Sequence, residues 1–315
     1  MFSPQFQQRF TVVVLFCPLL FGFPAQAQKT AAMRKDTKNI SARLLQKAIR
    51  TGMAGMPGAA LVVEVESGKI IARQGMQTAA RRLVTPGSTV KPFVLMALLR
   101  SQKLKSDEVF FCRRTLRIAG KRMDCTHPEL AAPLHAEEAL AYSCNSYFAA
   151  MAERISAPEL ASEFRRAGFA SPTGWAQNEA TGTVKETQTP EQRQLQALGE
   201  EAVKITPLEL LAAYRTLALQ LHSGDKTWDV IYRGLEDSTA YGMAHGAAPQ
   251  GYNVAGKTGT ANSSASALTH GWFAGYGPAE KPEIALVVYL EHGRGSDAAA
   301  VAQTIFTAYD KVKGH

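Results

Sequence analysis

Apolar and polar positions divide the chain into a short apolar leader, a strand pair, a long helical middle and a strand-rich end. Thr11 to Phe23 is an apolar run behind Arg9, followed by the small-residue triplet Ala25-Gln26-Ala27. This pattern predicts a secretory signal cleaved after Ala27; an uncleaved N-terminal anchor is the lesser alternative, because the run is too short to span a bilayer comfortably. Gln28 to Lys38 is polar, and Ile40 to Met53 carries helical spacing at Leu44, Leu45, Ala48 and Ile49 before Gly52 and Gly55. Ala59 to Glu66 reads as a strand, Ser67-Gly68 as a tight turn and Lys69 to Arg73 as the antiparallel partner. At Thr85-Pro86-Gly87-Ser88 the backbone turns, and the apolar run through Leu99 then reads as a buried helix. Pro92 is compatible with it, since the first helical turn has no amide partner to lose.

The middle of the chain continues in helices. Arg113 to Asp124 alternates around Ala119-Gly120-Lys121 like a hairpin. His135 to Ala141 and Tyr147 to Ile155 have apolar faces interrupted by Ser143-Cys144-Asn145, and Ala157 to Ala167 is a helix closed by Gly168. Ala170 to Gln192 is polar and reads as a long surface loop. Thr206-Pro207-Leu208-Glu209 is a capping box opening a helix to about Leu221, and Asp229 to Ala244 is also helical in pattern. Tyr252 to Thr258, His270 to Tyr276 and Ile284 to Glu291 read as strands, and Asp297 to Val312 as a closing helix capped by Ser296. The expected fold is α/β (α+β), with a five-stranded antiparallel sheet built from both ends of the chain and flanked by helices. It is one domain over residues 28–315, with an α/β lobe at 28–85 and 250–315. An all-helical subdomain at 86–249 is inserted, and the crevice between the lobes is the expected active site.

Composition changes this picture little. At 315 residues, with 46% hydrophobic and 20% charged positions, the chain is an ordinary globular protein. The formal net charge is +8, but the basic residues are scattered without an aromatic-interleaved stripe, which excludes nucleic acid as a partner. Cys17 follows Phe16, a poor fit to a lipid-anchor site. Processing leaves Cys112, Cys125 and Cys144. In an oxidising compartment a disulfide between Cys112 and Cys125 would close the hairpin and leave Cys144 an unpaired thiol. His127, His135, His222, His245, His270 and His292 show no ligand spacing, so structural or surface roles are expected and no metal or cofactor is assigned.

The candidate chemistry lies in three short motifs: Ser88-x-x-Lys91 at a helix start, Ser143-x-Asn145 between helices, and Lys257-Thr258-Gly259-Thr260 at a strand end. A serine hydroxyl is a poor nucleophile until a base takes its proton, and an amine three residues on can reach it. A helix N-terminus points free N–H groups at a developing oxyanion. Each motif is weak alone, but the ordered set is specific. With Pro86-Gly87 and Pro92 around the first motif, and Tyr147-Phe148 after the second, it resembles the penicillin-binding transpeptidase domain. Ala255-Gly256 and Ala261 around the third, and Gly271-Trp272-Phe273-Ala274-Gly275-Tyr276 beyond it, agree. The likeness runs from about residue 56 to the C-terminus.

That resemblance to the penicillin-recognising serine acyltransferases implies roles. Ser88 would attack an amide carbonyl, and Lys91 would be the base, its pKa lowered by burial and by the second ammonium of Lys257. Ser143 would relay a proton, and Asn145 would hold Lys91 and the substrate amide. Lys257, Thr258 and Thr260 would bind a terminal carboxylate, and Gly259 would allow close approach. The N–H groups of Ser88 and Thr260 would form the oxyanion hole. The implied substrates are the D-alanyl-D-alanine stem peptides of peptidoglycan, imitated by β-lactams. The expected location is periplasmic, and a cell-wall synthesis protein is a candidate partner that nothing in the residues identifies. Gly251 to Thr258 also spells G-x-x-x-x-G-K-[ST], but that phosphate loop needs a helix behind it, and the pattern here continues as strand. A β-lactamase would need a glutamate for deacylation, and Glu163, Glu179 and Glu186 lack a convincing context. A non-catalytic penicillin-binding sensor or scaffold is the other alternative.

Overall fold

The structure is a computed structural model and describes residues 41–105, 108–220, 225–262 and 268–313. The expected signal and its cleavage point lie outside these residues. The described residues belong to one compact unit. Helix α1 spans 41–52, and β1 (Gly58–Glu64) and β2 (Ile70–Gln74) form the first hairpin. A short helix, α2 (Met76–Arg81), precedes the serine turn and α3 (Lys91–Arg100). The cysteine-flanked hairpin is β3 (Arg117–Ile118) and β4 (Lys121–Arg122). Helices α4 (Ala136–Ala141), α5 (Asn145–Ala152) and α6 (Ala157–Arg166) follow. Next come β5 (Thr183–Val184), α7 (Pro190–Ala197), β6 (Val203–Lys204), α8 (Pro207–Gln220) and α9 (Asp229–Ala240). The chain closes with β7 (Ala255–Asn262), β8 (Thr269–Gly277), β9 (Ile284–Leu290) and α10 (Gly295–Lys313). Among the described residues no helix is long and apolar enough to cross a membrane.

The five long strands make one antiparallel sheet in the order β2-β1-β9-β8-β7, as the two-ended assembly requires. Both faces are covered, which explains why the central strands are apolar throughout. On β1, Ala59, Leu61 and Val63 enter one core, while Ala60 and Val62 enter the other. On β9 the split is Ala285, Val287 and Tyr289 against Ile284, Leu286, Val288 and Leu290. One face packs on α1 through Leu45 and Ile49 and on α10 through Ile305, Phe306 and Tyr309. The other packs on α8 and the helical block through Leu208, Leu211 and Tyr214.

Three expectations shift. Strand β7 begins at Ala255, not Tyr252, and runs on to Asn262, so the Lys257-Thr258-Gly259-Thr260 motif lies within the strand. Cross-strand pairing carries it there, with Lys257 opposite Ala274 and Gly259 opposite Trp272, where the polar side-chain pattern signals a stop. The region read as a loop at 170–192 holds β5 and the start of α7. A two-residue strand is too short for periodicity to register, and α7 buries only Leu195, Gln196 and Ala197. Helix α2 was not expected either; its buried residues are two alanines.

The capping box of α8 does more than start a helix. Thr206 N–H donates to Glu209 Oε2 at 2.7 Å, and Glu209 N–H donates to Thr206 Oγ1 at 3.2 Å. Glu209 Oε1 also accepts the N–H groups of Ser171 (3.1 Å) and Gly182 (2.8 Å), pinning the 170–182 segment to α8. Burial pushes this carboxyl's pKa up and the amides pull it down, with burial prevailing. Replacing Glu209 with Ala leaves buried N–H donors without acceptors. The expected loss is about 2–4 kcal/mol of unfolding free energy. It is read from the denaturant midpoint at unchanged slope; a loss within experimental error would refute this role.

Candidate active site

The serine turn is a short 3₁₀ segment, Gly87–Val90, running directly into α3, so Lys91 is the first residue of the α-helix. It is fastened from several sides. Gly87 N–H donates to Gly199 O (3.0 Å), Tyr214 OH to Thr89 O (2.9 Å) and Trp272 Nε1–H to Thr85 O (3.2 Å). Thr89 Oγ1 donates to Pro86 O at 2.9 Å. Two glycines let the turn lie against β7. Gly87 has φ +55°, and a Cβ there would stand 2.8 Å from Thr260 O. A Cβ on Gly259 would stand 2.7 Å from Pro86 O and 2.9 Å from Thr89 Cγ2. Ser88 is therefore flanked by two residues that touch the Lys257–Thr260 strand, and it stays half-exposed.

Lys91 is fully buried. Its Nζ donates to Asn145 Oδ1 (2.6 Å), Ser143 O (2.7 Å) and Ser143 Oγ (3.2 Å), and lies 5.2 Å from the Phe148 ring centroid. Burial lowers its pKa to about 8, opposed by the charges of Cys144, Cys125 and Glu200. Lys257 is also fully buried, and burial followed by the Lys91 charge holds its pKa well below the usual amine value. The expected lowering of the Lys91 pKa by the Lys257 ammonium is therefore corrected: the like charge acts on Lys257, and burial alone lowers Lys91.

Ser143 sits just past α4 with φ +54°, a left-handed conformation that costs a non-glycine residue free energy. The surroundings enforce it: Ser143 N–H donates to Leu140 O (3.1 Å) and Cys144 N–H to Ala139 O (2.9 Å). Cys144 then caps α5, its Sγ accepting Tyr147 N–H at 3.4 Å. Asn145 Nδ2 donates to Met123 O (3.0 Å) and Asp124 O (3.3 Å), which turns Oδ1 towards Lys91.

On β7, Lys257 Nζ donates to Thr258 O at 3.3 Å. Thr258 Oγ1 spends its proton on Met243 O (3.2 Å), so it can only accept from a ligand. Thr260 is exposed; its Oγ1 accepts Gly295 N–H (2.9 Å) from the start of α10 and keeps its own proton available. Sequence residues 88, 91, 143, 145 and 257–260 therefore gather around one buried amine pair and one strand.

Sequence reasoning missed two features here. Glu200, beside the Gly199 that holds the serine turn, accepts from Asn262 Nδ2 at 3.4 Å and is coupled by charge to Lys91. Burial pushes its carboxyl up. The glutamates considered from sequence are engaged elsewhere: Glu163 with Arg100 and Arg166, Glu179 with the N–H groups of Thr173 and Ala176, and Glu186 with Arg165. The second is a cluster. Cys112 and Cys125 are free thiols rather than a disulfide, with their sulfurs 3.5 Å apart. Cys144 Sγ lies 3.7 Å from Cys125 Sγ, and His127 Nε2 lies 3.5 Å from Cys112 Sγ. The signal was Cys125-x-His127 closing the same hairpin that Cys112 opens.

Comparison with known proteins agrees with this geometry. The profile of the penicillin binding protein transpeptidase domain matches residues 58–309. Peptidoglycan D,D-transpeptidase MrdA of Acinetobacter baumannii is 25% identical over 224 residues, which are 54% of this chain and 33% of that protein. Stage V sporulation protein D of Bacillus subtilis is 27% identical over 251 residues, 67% of this chain and 38% of that protein. The chain thus spans between 33% and 38% of the length of these relatives. The D,D-transpeptidase domain of a peptidoglycan glycosyltransferase from Eggerthella lenta superposes with a TM-score of 0.76. It is 22% identical and covers 86% of this chain and 82% of its own. A profile match over most of the length, on this fold and this arrangement of motifs, places the chain in the penicillin binding protein transpeptidase domain family.

Proposed function

We propose that this chain is an exported serine acyltransferase acting on D-alanyl-D-alanine stem peptides of peptidoglycan through a Ser88 acyl-enzyme, and that it binds penicillins. The observation that supports this most directly is the buried Lys91 amine, hydrogen-bonded to Ser143 and Asn145 one helical turn from Ser88. In this reading neutral Lys91 takes the Ser88 proton as Oγ attacks the carbonyl carbon of the penultimate D-alanine. The oxyanion meets the N–H groups of Ser88 and Thr260. The proton passes from Lys91 through Ser143 to the departing amine, and D-alanine leaves. An acceptor amine then gives a cross-link, or water gives a trimmed peptide. Lys257 and the Thr260 hydroxyl answer the substrate carboxylate, and Asn145 holds the amide.

One observation favours the hydrolytic branch as a second reading. Glu200 places a desolvated carboxyl of raised pKa beside the serine turn, suited to activating water. Incubation with a pentapeptide muropeptide followed by mass spectrometry separates the branches. Cross-linked dimer identifies the transpeptidase, and tetrapeptide that falls in Glu200→Gln identifies the carboxypeptidase. Release of no D-alanine from any muropeptide would refute the substrate class.

A labelled penicillin is expected to attach covalently to the wild type and not to Ser88→Ala. Stoichiometric labelling of the variant would end this mechanism. The pH dependence follows from Lys91. Only the neutral amine can accept a proton, so acylation should rise about tenfold per pH unit below pH 7 and level off above its pKa of about 8. Acylation rates from pH 5.5 to 9.5 measure this, and a flat profile would remove Lys91 from the role of base.

A further inference from the structure

Cys112, Cys125, His127 and Cys144 bring their ligand atoms within 4.8 Å of one another, beside the Ser143–Asn145 turn. Cys125, His127 and Cys144 are buried, and Cys112 is half-buried. The spacing is that of a coordination shell. Tetrahedral zinc with Zn–S near 2.3 Å and Zn–N near 2.05 Å separates sulfurs by about 3.8 Å and sulfur from nitrogen by about 3.6 Å. Three of the six separations match these values, Cys112–Cys125 at 3.5 Å, Cys125–Cys144 at 3.7 Å and Cys112–His127 at 3.5 Å, and the others lie within 4.8 Å, so an ion would draw the group slightly closer.

The surroundings are prepared for metal-bound thiolates. Each sulfur accepts a backbone N–H: Cys112 from Arg114 (3.3 Å), Cys125 from Ser146 (3.4 Å) and Cys144 from Tyr147 (3.4 Å). His127 Nδ1 lies 2.7 Å from Pro128 O, an atom that can only accept. Nδ1 therefore carries the proton, and the Nε2 lone pair faces the sulfurs, the arrangement metal-bound histidines commonly show. Three sulfurs and one nitrogen fill a tetrahedron and leave no position for water, so the site is of the closed, structural type. Soft thiolate ligands in that geometry select zinc over magnesium, calcium or manganese.

We propose that these four side chains bind one zinc ion, which clamps the cysteine-flanked hairpin to the Ser143-Cys144-Asn145 turn. Cys125 follows directly on Met123 and Asp124, whose carbonyls hold the Asn145 amide. Cys144 lies between Ser143 and Asn145, the two residues that receive the Lys91 amine. The ion fixes both sides of that contact and acts as a positioning element. This second half rests on the catalytic reading of Lys91, Ser143 and Asn145 proposed above; the binding of metal does not.

The test uses untagged full-length protein. Elemental analysis is expected to give about one zinc per chain. Reduced, chelated protein refilled with cobalt(II) is expected to show intense thiolate-to-cobalt charge-transfer absorption in the near ultraviolet and tetrahedral visible bands. Both readouts should be lost in Cys125→Ser and in Cys112→Ser; the latter change is half-exposed and spares the core. Absence of zinc together with absence of cobalt–thiolate absorption in the wild type would overturn the site. So would isolation of metal-free protein with Cys112 and Cys125 joined. Covalent penicillin labelling, followed well below the melting temperature, tests the clamp. Chelation is expected to slow acylation about tenfold, and zinc to restore it. Bound zinc whose removal leaves acylation unchanged would overturn the positioning role alone. Labelling without zinc sinks this inference and leaves the proposed function standing, and zinc without labelling does the reverse.

Discussion

An amine with no exposed surface sets the constraint that the site around it must meet. Removing Lys91 from water is costly, and the fold offsets that cost by bringing oxygens to it from residues more than fifty positions away. Those oxygens are in place only if α4 ends where it does, if Ser143 accepts a left-handed backbone, and if the hairpin carbonyls hold Asn145 by its amide. The amine is therefore both an expense of folding and the reason the parts must meet. Its depressed pKa is the same fact seen in protonation.

The sheet supplies the rigid side of this arrangement. Strands buried on both faces cannot slip by one residue without exchanging the two cores, so β8 and β9 fix β7 in register. Strand β7 in turn meets the serine turn backbone to backbone, through glycines whose missing side chains are the contact. A rigid strand on one side and a strained helical junction on the other hold the two halves of the site.

Legibility in the sequence followed the length scale of each signal. The five long strands, the capping box at Thr206 and the three short candidate motifs all announce themselves within a few residues, and the strands and the capping box occur where the pattern puts them or close by. The end of β7 is not legible because polar residues there give no alternating apolar signal, and pairing with β8 alone carries the strand to Asn262. The strand β5 and the helix α7 leave almost no apolar trace. Glu200 and the Cys112, Cys125, His127 and Cys144 group escaped for a different reason: their partners are assembled only by folding. Considered singly, His127 reads as a structural or surface histidine and Cys144 as an unpaired thiol.

One consequence follows from the position of β7 at the border of the sheet. A border strand has no strand neighbour on its outer side, so an extended peptide can join it there as a sixth strand where the serine turn does not already pack. Main-chain pairing of that kind ignores side-chain identity along the middle of the guest. Discrimination would then fall on the guest's two termini, where the peptide enters and leaves the sheet.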